Sequence, residues 1–530
     1  MSNIYKQGEN RKQKMFFPSS IDEYVSEDNQ VRAIEDYVEL LNMVELGFTK
    51  SALNSSDGQP AYHPKLLLKI YIYGYLNRIR SSRKLETEIK RNIEMMWLCS
   101  GLTPSYKTIA DFRKENSQAL KKVFREFVLL CKELDLITGE LVAVDGAFLR
   151  ANASKNQLIM KRTVQRDLKK IDEKIEAYLE TMEFADKEEK KERALNPLPT
   201  NNLPKIVKRK AQLDKDLSLL EEMKITQYNR TDPDAKLMSK PAHNLMAYNV
   251  QIAVDSTFKF IVATDISSQG VDSKQLHNMA RKAKEITENE NIVVTADKGY
   301  DNRKEIKQCT DENIEVIVPS INNFKVQKNK GKYIREAFIY DDATDTYLCP
   351  NHQSLIMTGT SYKNEMLFYR YKLKSTTCKV CPLRDKCLPE KTLYKELFRW
   401  EHEPVIAQHK LKMKTARAKK IIKQRSAIVE HPFGTIKQTL GWSHFLVRGK
   451  EKVSGENALI MFTYNFRRLM NLIGIVLFRK LLVAIKEGTI DDIKAEIVAY
   501  IAYFRVYLVF FLQIIGFYIF MGKKYAYLKI

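Results

Sequence analysis

The order in which strand-like and helical hydrophobic periods follow one another between residues 141 and 318 narrows the fold of this chain more than any other feature. Residues 141–144 (Leu-Val-Ala-Val) form a short apolar run, which Asp145-Gly146 brings to an end. Residues 248–254 and 258–264 are rich in β-branched and aromatic side chains, and the Asp255-Ser-Thr257 break between them predicts a hairpin. Helical spacing follows over 273–287, then a buried strand over 292–296, a short helical stretch, and a further strand over 314–318. Strand, hairpin, helix, strand, helix, strand is the pattern of a mixed α/β sheet.

Upstream, residues 1–140 read as helical. His63-Pro64 opens a helix, since Pro suits a first turn, and Leu66, Leu67, Ile70, Tyr73 and Leu76 recur at helical spacing. A second helix is expected over 83–98, stopped by Gly101, and a third over 106–116 after the turn 101–105. Helix, turn and a helix bearing Tyr106, Lys107, Asp111 and Arg113 fit a DNA-reading helix-turn-helix with Lys107 and Arg113 as contacts. They fit an ordinary helical bundle equally well.

Two insertions interrupt the α/β pattern. Residues 161–230 carry 17 basic and 14 acidic side chains, with Leu168, Ile171, Ile175 and Leu179 in one amphipathic helix and Ile206, Leu213, Leu217 and Leu220 in another. The Pro-rich break over 196–204 makes this a charged helical hairpin. The second insertion, 322–400, holds Cys349, Cys378, Cys381 and Cys387, spaced C-x28-C-x2-C-x5-C. That spacing is compatible with a structural Zn²⁺ knuckle, with His352 as an alternative ligand, and equally with reduced thiols. The expected division is a helical domain over 1–140, a catalytic domain over 141–470 and a hydrophobic extension over 471–530.

Composition bears on partners. The 530 residues include 88 Lys+Arg and 65 Asp+Glu, a net charge of +23, and seven cysteines, too few for a disulfide scaffold. A polyanion is the partner such a balance suggests. The charge is concentrated: residues 404–470 carry 14 basic and 3 acidic side chains, nearly half of the excess. Between Gln408 and Arg425 there are eight basic residues, Lys419, Lys420 and Lys423 among them, and no acid.

Asp145 and Asp297 each follow an apolar strand, where α/β sheets present their sites. Glu430 stands just after the basic tract, with Lys437 seven residues on and Pro432 between them. Pro432 suggests that Glu430 lies in the first turn of a helix or at a kink. Hard oxygen ligands suit Mg²⁺ or Mn²⁺, and two such ions clamp the attacking and leaving oxygens of a phosphodiester displacement.

These residues lie in stretches that resemble the DDE transposases of bacterial insertion sequences, in the subgroup with a helical N-terminal domain and a coiled insertion. The stretches are Val144-Asp-Gly-Ala-Phe-Leu-Arg-Ala-Asn152, Thr231-Asp-Pro-Asp-Ala-Lys-Leu-Met238, Tyr248-Asn-Val-Gln-Ile-Ala-Val-Asp255, Ala296-Asp-Lys-Gly-Tyr-Asp301 and Val429-Glu-His-Pro-Phe-Gly-Thr-Ile-Lys437. The resemblance covers residues 10 to 470 and implies an RNase H-like core. It also implies Asp145, Asp297 and Glu430 as a metal-binding catalytic triad for two Mg²⁺ or Mn²⁺ ions, and Lys437 as a phosphate-binding lysine. The implied reaction is cleavage at terminal inverted repeats and strand transfer into target double-stranded DNA, by a homodimer on DNA in the cytoplasm, associated with the nucleoid. Relatives often carry Arg four residues before the Glu; here that position is Ser426, with Arg425 one residue earlier. The competing functions are a non-catalytic DNA-binding derivative and a nuclease without strand transfer.

Cys99, Cys131 and Cys309 read as core residues, and Trp442 and Phe445 likewise. His431 reads as structural or DNA-contacting. Residues 1–20 lack a secretory signal. Residues 497–521 contain Arg505 as their one charge, a borderline length for a membrane span; a membrane anchor is disfavoured, and the alternatives are a helix packed on the catalytic domain or an extension that does not fold well.

Overall fold

The structure, a computed structural model, describes residues 20–49, 60–188, 203–240, 243–321 and 331–503. The chain divides into two compact units, residues 1–127 with 435–442 and 451–530, and residues 128–434 with 443–450. The sequence places 435–442 and 451–470 with the catalytic region; the fold groups them with the N-terminal helices.

The first unit is helical: α1 (Gln30–Leu40), α2 (Pro64–Leu76), α3 (Ser82–Arg91), α4 (Ile93–Leu98), α5 (Tyr106–Glu115) and the first part of α6 (Ser117–Glu133). His63 caps α2, with Pro64 in its first turn, as the sequence predicts. The single helix expected over 83–98 is instead two. Asn92 is extended, ends α3, and starts α4 by accepting from the Glu94 and Met95 amides at 2.9 and 3.3 Å. Its amide also donates to the Tyr73 hydroxyl at 3.1 Å. Asn92→Ala is expected to cost about 1–2 kcal/mol, because it frees those donors; urea unfolding measures the loss.

The second unit is built on β1 (Leu141–Arg150), β2 (His243–Asp255), β3 (Ile261–Ser267), β4 (Val293–Thr295) and β5 (Glu315–Ile317). The sheet order is β3-β2-β1-β4-β5. The first three strands are antiparallel neighbours, while β4 and β5 run parallel to β1. A short strand, Lys236–Lys240, pairs with the start of β2. This is the mixed α/β sheet that the element order predicts, and its strand order fits the RNase H-like core that the resemblance implies. Helix α7 (Lys161–Glu188) and α8 (Leu203–Glu222) form the expected hairpin insertion, joined through Val164, Leu168 and Leu220. Part of the expected break between them lies outside the described residues. Helix α9 (Leu276–Thr287) packs on β1–β3, and α10 (Arg303–Asp311) links β4 to β5.

The cysteine-bearing insertion is a five-stranded antiparallel sheet, β6 (Ile339–Asp341), β7 (Thr346–Leu348), β8 (Ser354–Lys363), β9 (Met366–Lys372) and β10 (Glu396–Trp400), in order β10-β9-β8-β7-β6. Phe338, Tyr347, Leu355, Tyr371 and Leu397 form its core. Helices α11 (Glu403–Lys412) and α12 (Ala416–Gly434) follow, and α12 covers β1, β2, β4 and β5.

The chain then returns to the first unit with α13 (Lys450–Ile473) and α14 (Ile475–Glu487). There Tyr37, Phe127, Phe462, Phe466 and Phe478 form a chain of ring contacts. Gly455 is where α13 crosses the start of α6, since a Cβ would sit 2.5 Å from Ser117 Cα. Trp442 is buried against Tyr75, and Phe445 of the second unit is buried, both as expected. No helix among the described residues is long and apolar enough to cross a membrane; residues 504–530, most of the apolar tail, lie outside them.

Candidate active site

Asp145 is a mid-strand residue. The sequence predicts that Asp145-Gly146 ends the strand, but β2 supplies partners for all of it, from Asp145 opposite Ile252 to Arg150 opposite Ala247. On the other side, Ala143 stands beside Thr295 in the parallel ladder to β4. That register, continued by two residues on each chain, sets Asp145 beside Asp297 on one face, since side chains two apart point the same way. Asp297 is extended and caps a short turn, accepting from the Gly299 amide at 2.7 Å. The two aspartates, 152 residues apart in the chain, are brought together by strand register.

A third acid belongs to this neighbourhood. Asp272 accepts hydrogen bonds from the amides of Asn249 and Gln251 at 2.8 and 2.7 Å. Tyr300 donates to Gln251 Oε1 at 2.5 Å, and burial followed by the charges of Asp272, Asp145 and Asp297 holds its hydroxyl well above the ordinary tyrosine range. Gly146 permits this network: a Cβ there would sit 2.6 Å from Asp272 Oδ1 and would also collide with the Gln251 amide. Sequence reasoning misses Asp272 because it lies in a polar loop with no strand before it. The available signal is Asn249 and Gln251, two wholly buried polar residues on one face of β2, each set between apolar neighbours.

Burial pushes the Asp145 carboxyl up to about 6, with Asp297 and Asp272 adding to the rise and Arg425 and the Gly146 amide opposing it. Neighbouring carboxylates that raise the cost of ionising Asp145 make a site that a cation would relieve. Oxygen donors without thiol or imidazole fit a hard divalent ion.

Glu430 lies on the exposed side of its helix. Helix α12 turns Ala418, Ile421, Ile428, Val429 and Pro432 inward, and on that side Arg425 Nη1 lies 3.8 Å from Asp145 Oδ1. Glu430, five residues on, is about 140° around the helix at 100° per residue and is exposed. It shares the solvent stripe of Lys419, Lys420 and Lys423. Among the described residues, no three His, Cys, Asp or Glu side chains are gathered to hold a metal ion. Glu430 also lies near the end of its helix, not in the first turn, and Pro432 is accommodated inside it.

The basic tract sorts into two sets. Lys410, Lys412, Arg417 and Arg425 are ion-paired, with Glu336, Glu315 and Asp145. Lys414, Lys419, Lys420 and Lys423 are exposed and form no ion pair among the described residues. Lys437 is exposed in a π-helical turn, Thr435–Thr439, and Lys107 is exposed on α5.

Arg113 corrects an expectation. Its side chain is buried, with Nη1 3.2 Å from Glu456 Oε1 and 3.1 Å from the Tyr75 hydroxyl, and Glu456 is wholly buried. It holds the helical unit together and is not available to DNA.

All seven cysteines are free thiols. Cys349, Cys378, Cys381 and Cys387 line one small cavity, and burial, with the three neighbouring thiols adding, pushes the Cys387 thiol up. Cys99, Cys131 and Cys309 are buried, as expected.

Residues 19–115 match a family described as "Transposase domain (DUF772)", and residues 348–470 match one described as "Transposase DDE domain". No curated protein matches the sequence. Among solved structures, a piggyBac transposase synaptic complex with hairpin DNA aligns at 8% identity over 90% of this chain and 79% of that chain, with a TM-score of 0.28, too low to speak to the fold. The two transposase-domain matches, in order along one chain that also carries the β3-β2-β1-β4-β5 sheet, support a DDE-type transposase.

Proposed function

We propose that the protein cleaves DNA at the terminal inverted repeats of its element and joins the freed ends to target DNA, using divalent metal ions held by Asp145 and Asp297. The observation that supports this most is the pairing of those two aspartates across adjacent parallel strands. Bound there, Mg²⁺ or Mn²⁺ supplies Lewis-acid polarisation of the scissile phosphate and a more acidic attacking water. The chain's own residues do the rest. Gln251 and Asn249 fix Asp272 behind the pair, and Arg425 partly offsets the Asp145 charge. The lysine stripe of α12 offers three cations to a phosphate backbone.

That stripe has a measurable consequence. Lys419→Gln, Lys420→Gln and Lys423→Gln together are expected to weaken DNA binding about tenfold at 100 mM salt, because three phosphate contacts are lost. Fluorescence anisotropy with labelled duplex measures the change, and an unchanged affinity rejects the role.

A second reading, a DNA-binding derivative that does not cut, is favoured by the exposure of Glu430 on a side of α12 about 140° from that of Arg425. Incubation with Mg²⁺, labelled element-end DNA and a target plasmid separates the readings. Cleavage with joining supports the transposition reaction, cleavage alone a nuclease, and binding alone the derivative. Glu430→Ala in the same assay tests whether Glu430 completes the metal set, in which case cleavage is lost with binding intact.

A further inference from the structure

Beyond Ala143, β1 outruns β4, and its exposed edge is met by the segment 443–448: the Arg150 amide donates to the Ser443 carbonyl at 3.3 Å and the Phe445 amide to the Arg150 carbonyl at 2.9 Å. At this junction lies a cavity of about 1040 Å³. Phe148, Leu245 and Met246 provide its apolar part, Arg150, Lys155 and Arg448 its cations, and no Asp or Glu is among its described lining residues. It begins about 10 Å along β1 from Asp145, three residues at about 3.3 Å each, and Phe148 and Arg150 alternate to the face opposite Asp145. Asn249, which holds Asp272, stands opposite Phe148 on that same face, but none of Asp145, Asp272 and Asp297 lines the cavity, which is thus distinct from the three carboxylates.

Arg150, Lys155 and Arg448 are all exposed, and none forms an ion pair among the described residues. Arg448 is nevertheless held in place. Its Nε donates to the Asn152 carbonyl at 3.1 Å, and the Asn152 amide donates to the Leu446 carbonyl at 2.8 Å. The two residues after it are tied by their backbone amides, Gly449 to Asp232 at 3.2 Å and Lys450 to Asp234 at 2.8 Å. Asp232 also accepts from the Tyr248 hydroxyl at 2.8 Å. The acids of the Thr231-Asp-Pro-Asp234 motif thus engage backbone amides beside Arg448, while its Nη groups are left for an anion. A guanidinium fixed through Nε presents a fork suited to phosphate oxygens.

We infer that this cavity is a second DNA-binding groove, which seats a stretch of phosphodiester backbone away from the cleavage site. Arg150, Lys155 and Arg448 hold the phosphates, and the apolar wall of Phe148 and Met246 meets deoxyribose or base. Asp232 and Asp234 of the Thr231-Asp-Pro-Asp234 motif position Arg448 and are not themselves in contact with DNA. This inference rests on the protein acting on DNA, as proposed above.

The test is the salt dependence of duplex binding by the full chain carrying Arg150→Gln, Lys155→Gln and Arg448→Gln. A control variant, Lys169→Gln, Lys170→Gln and Lys215→Gln on the helical-hairpin insertion, loses the same net charge. The groove variant is expected to bind about tenfold more weakly at 100 mM salt, with a slope of log K against log salt shallower by about two to three. The control should stay within about twofold of wild type. If the groove variant folds poorly by circular dichroism, Lys155→Glu alone, at an exposed position, carries the test with a slope change of about one or more. Wild-type affinity and slope in the groove variant, or an equal loss in the control, overturns the groove. Failure of the wild-type chain to bind any duplex overturns the DNA reading itself, so the two failures are distinguishable.

Discussion

Asp145→Asn and Asp297→Asn are each expected to reduce cleavage of element-end DNA by about 10³-fold or more, while DNA affinity stays within a few-fold of wild type. The magnitude is that of removing a member of a catalytic unit, where the remaining groups cannot substitute. Both side chains keep their shape on amidation, so the loss isolates the carboxylate charge. A stability measurement sharpens the expectation for Asp145. Burial holds its carboxyl near 6, above the ordinary aspartate range, so the folded state binds its proton more tightly than the unfolded chain. Stability therefore falls as pH rises from about 4 to 6, and above that the full penalty of the ionised group is present. Asn removes the penalty. At pH 7 without divalent ions, Asp145→Asn should melt at or above the wild-type temperature. Lost cleavage with retained or improved stability is the signature of a residue kept for chemistry at a cost to the fold. Asp145→Asn that instead unfolds at lower temperature would mean that the carboxylate is structural.

Glu456→Ala is expected to destabilise the helical unit by about 3–5 kcal/mol. Removing one partner of a buried ion pair strands the other, and here Arg113 would keep its charge with only the Tyr75 hydroxyl as acceptor. Arg113→Met together with Glu456→Leu should cost much less, because an apolar pair of similar volume needs no desolvated charge. Thermal or urea unfolding reads both. The same double variant separates packing from recognition: its DNA affinity, and the salt dependence of that affinity, should equal wild type. A reduced salt slope in a well-folded double variant would return Arg113 to the DNA interface.

The sheet was legible in the sequence because its strands are apolar runs of strand length, and runs buried on both faces carry that signature without help from context. Val142, Ala143 and Val144 are wholly buried, as are Ile292 and Val294. The hairpin and the helix start at His63-Pro64 follow from local chemistry in the same way. What was not legible depends on partners distant in the chain. Arg113 sits on a helix of the type that reads DNA, and its role is decided by Glu456, more than 300 residues away. Asn92 splits one helical period into two because its side chain finds amide donors and Tyr73 at once. The division of the basic tract into paired and unpaired cations depends on Glu315 and Glu336, which no spacing within the tract reveals.

For the site, the strand register runs Asp145 toward Asp297, whereas Glu430 sits on the exposed side of α12. The motif around Glu430 specifies a helix and a nearby proline, but not the rotation of that helix about its axis, which is decided by which side chains it buries on the sheet. Ile421, Ile428 and Val429 win that contest, and they turn Arg425 to Asp145 and Glu430 to the lysine stripe. Asp272 shows the converse: a residue with no motif of its own, revealed by the polar pair that holds it.

The most direct measurement compares wild type, Asp145→Asn and Asp297→Asn side by side on labelled DNA carrying the element's ends, with Mg²⁺, scoring both nicked product and bound complex. Nicking by wild type alone, with all three proteins binding the ends, is the predicted result. Nicking by either variant at the wild-type rate contradicts a metal site built on Asp145 and Asp297.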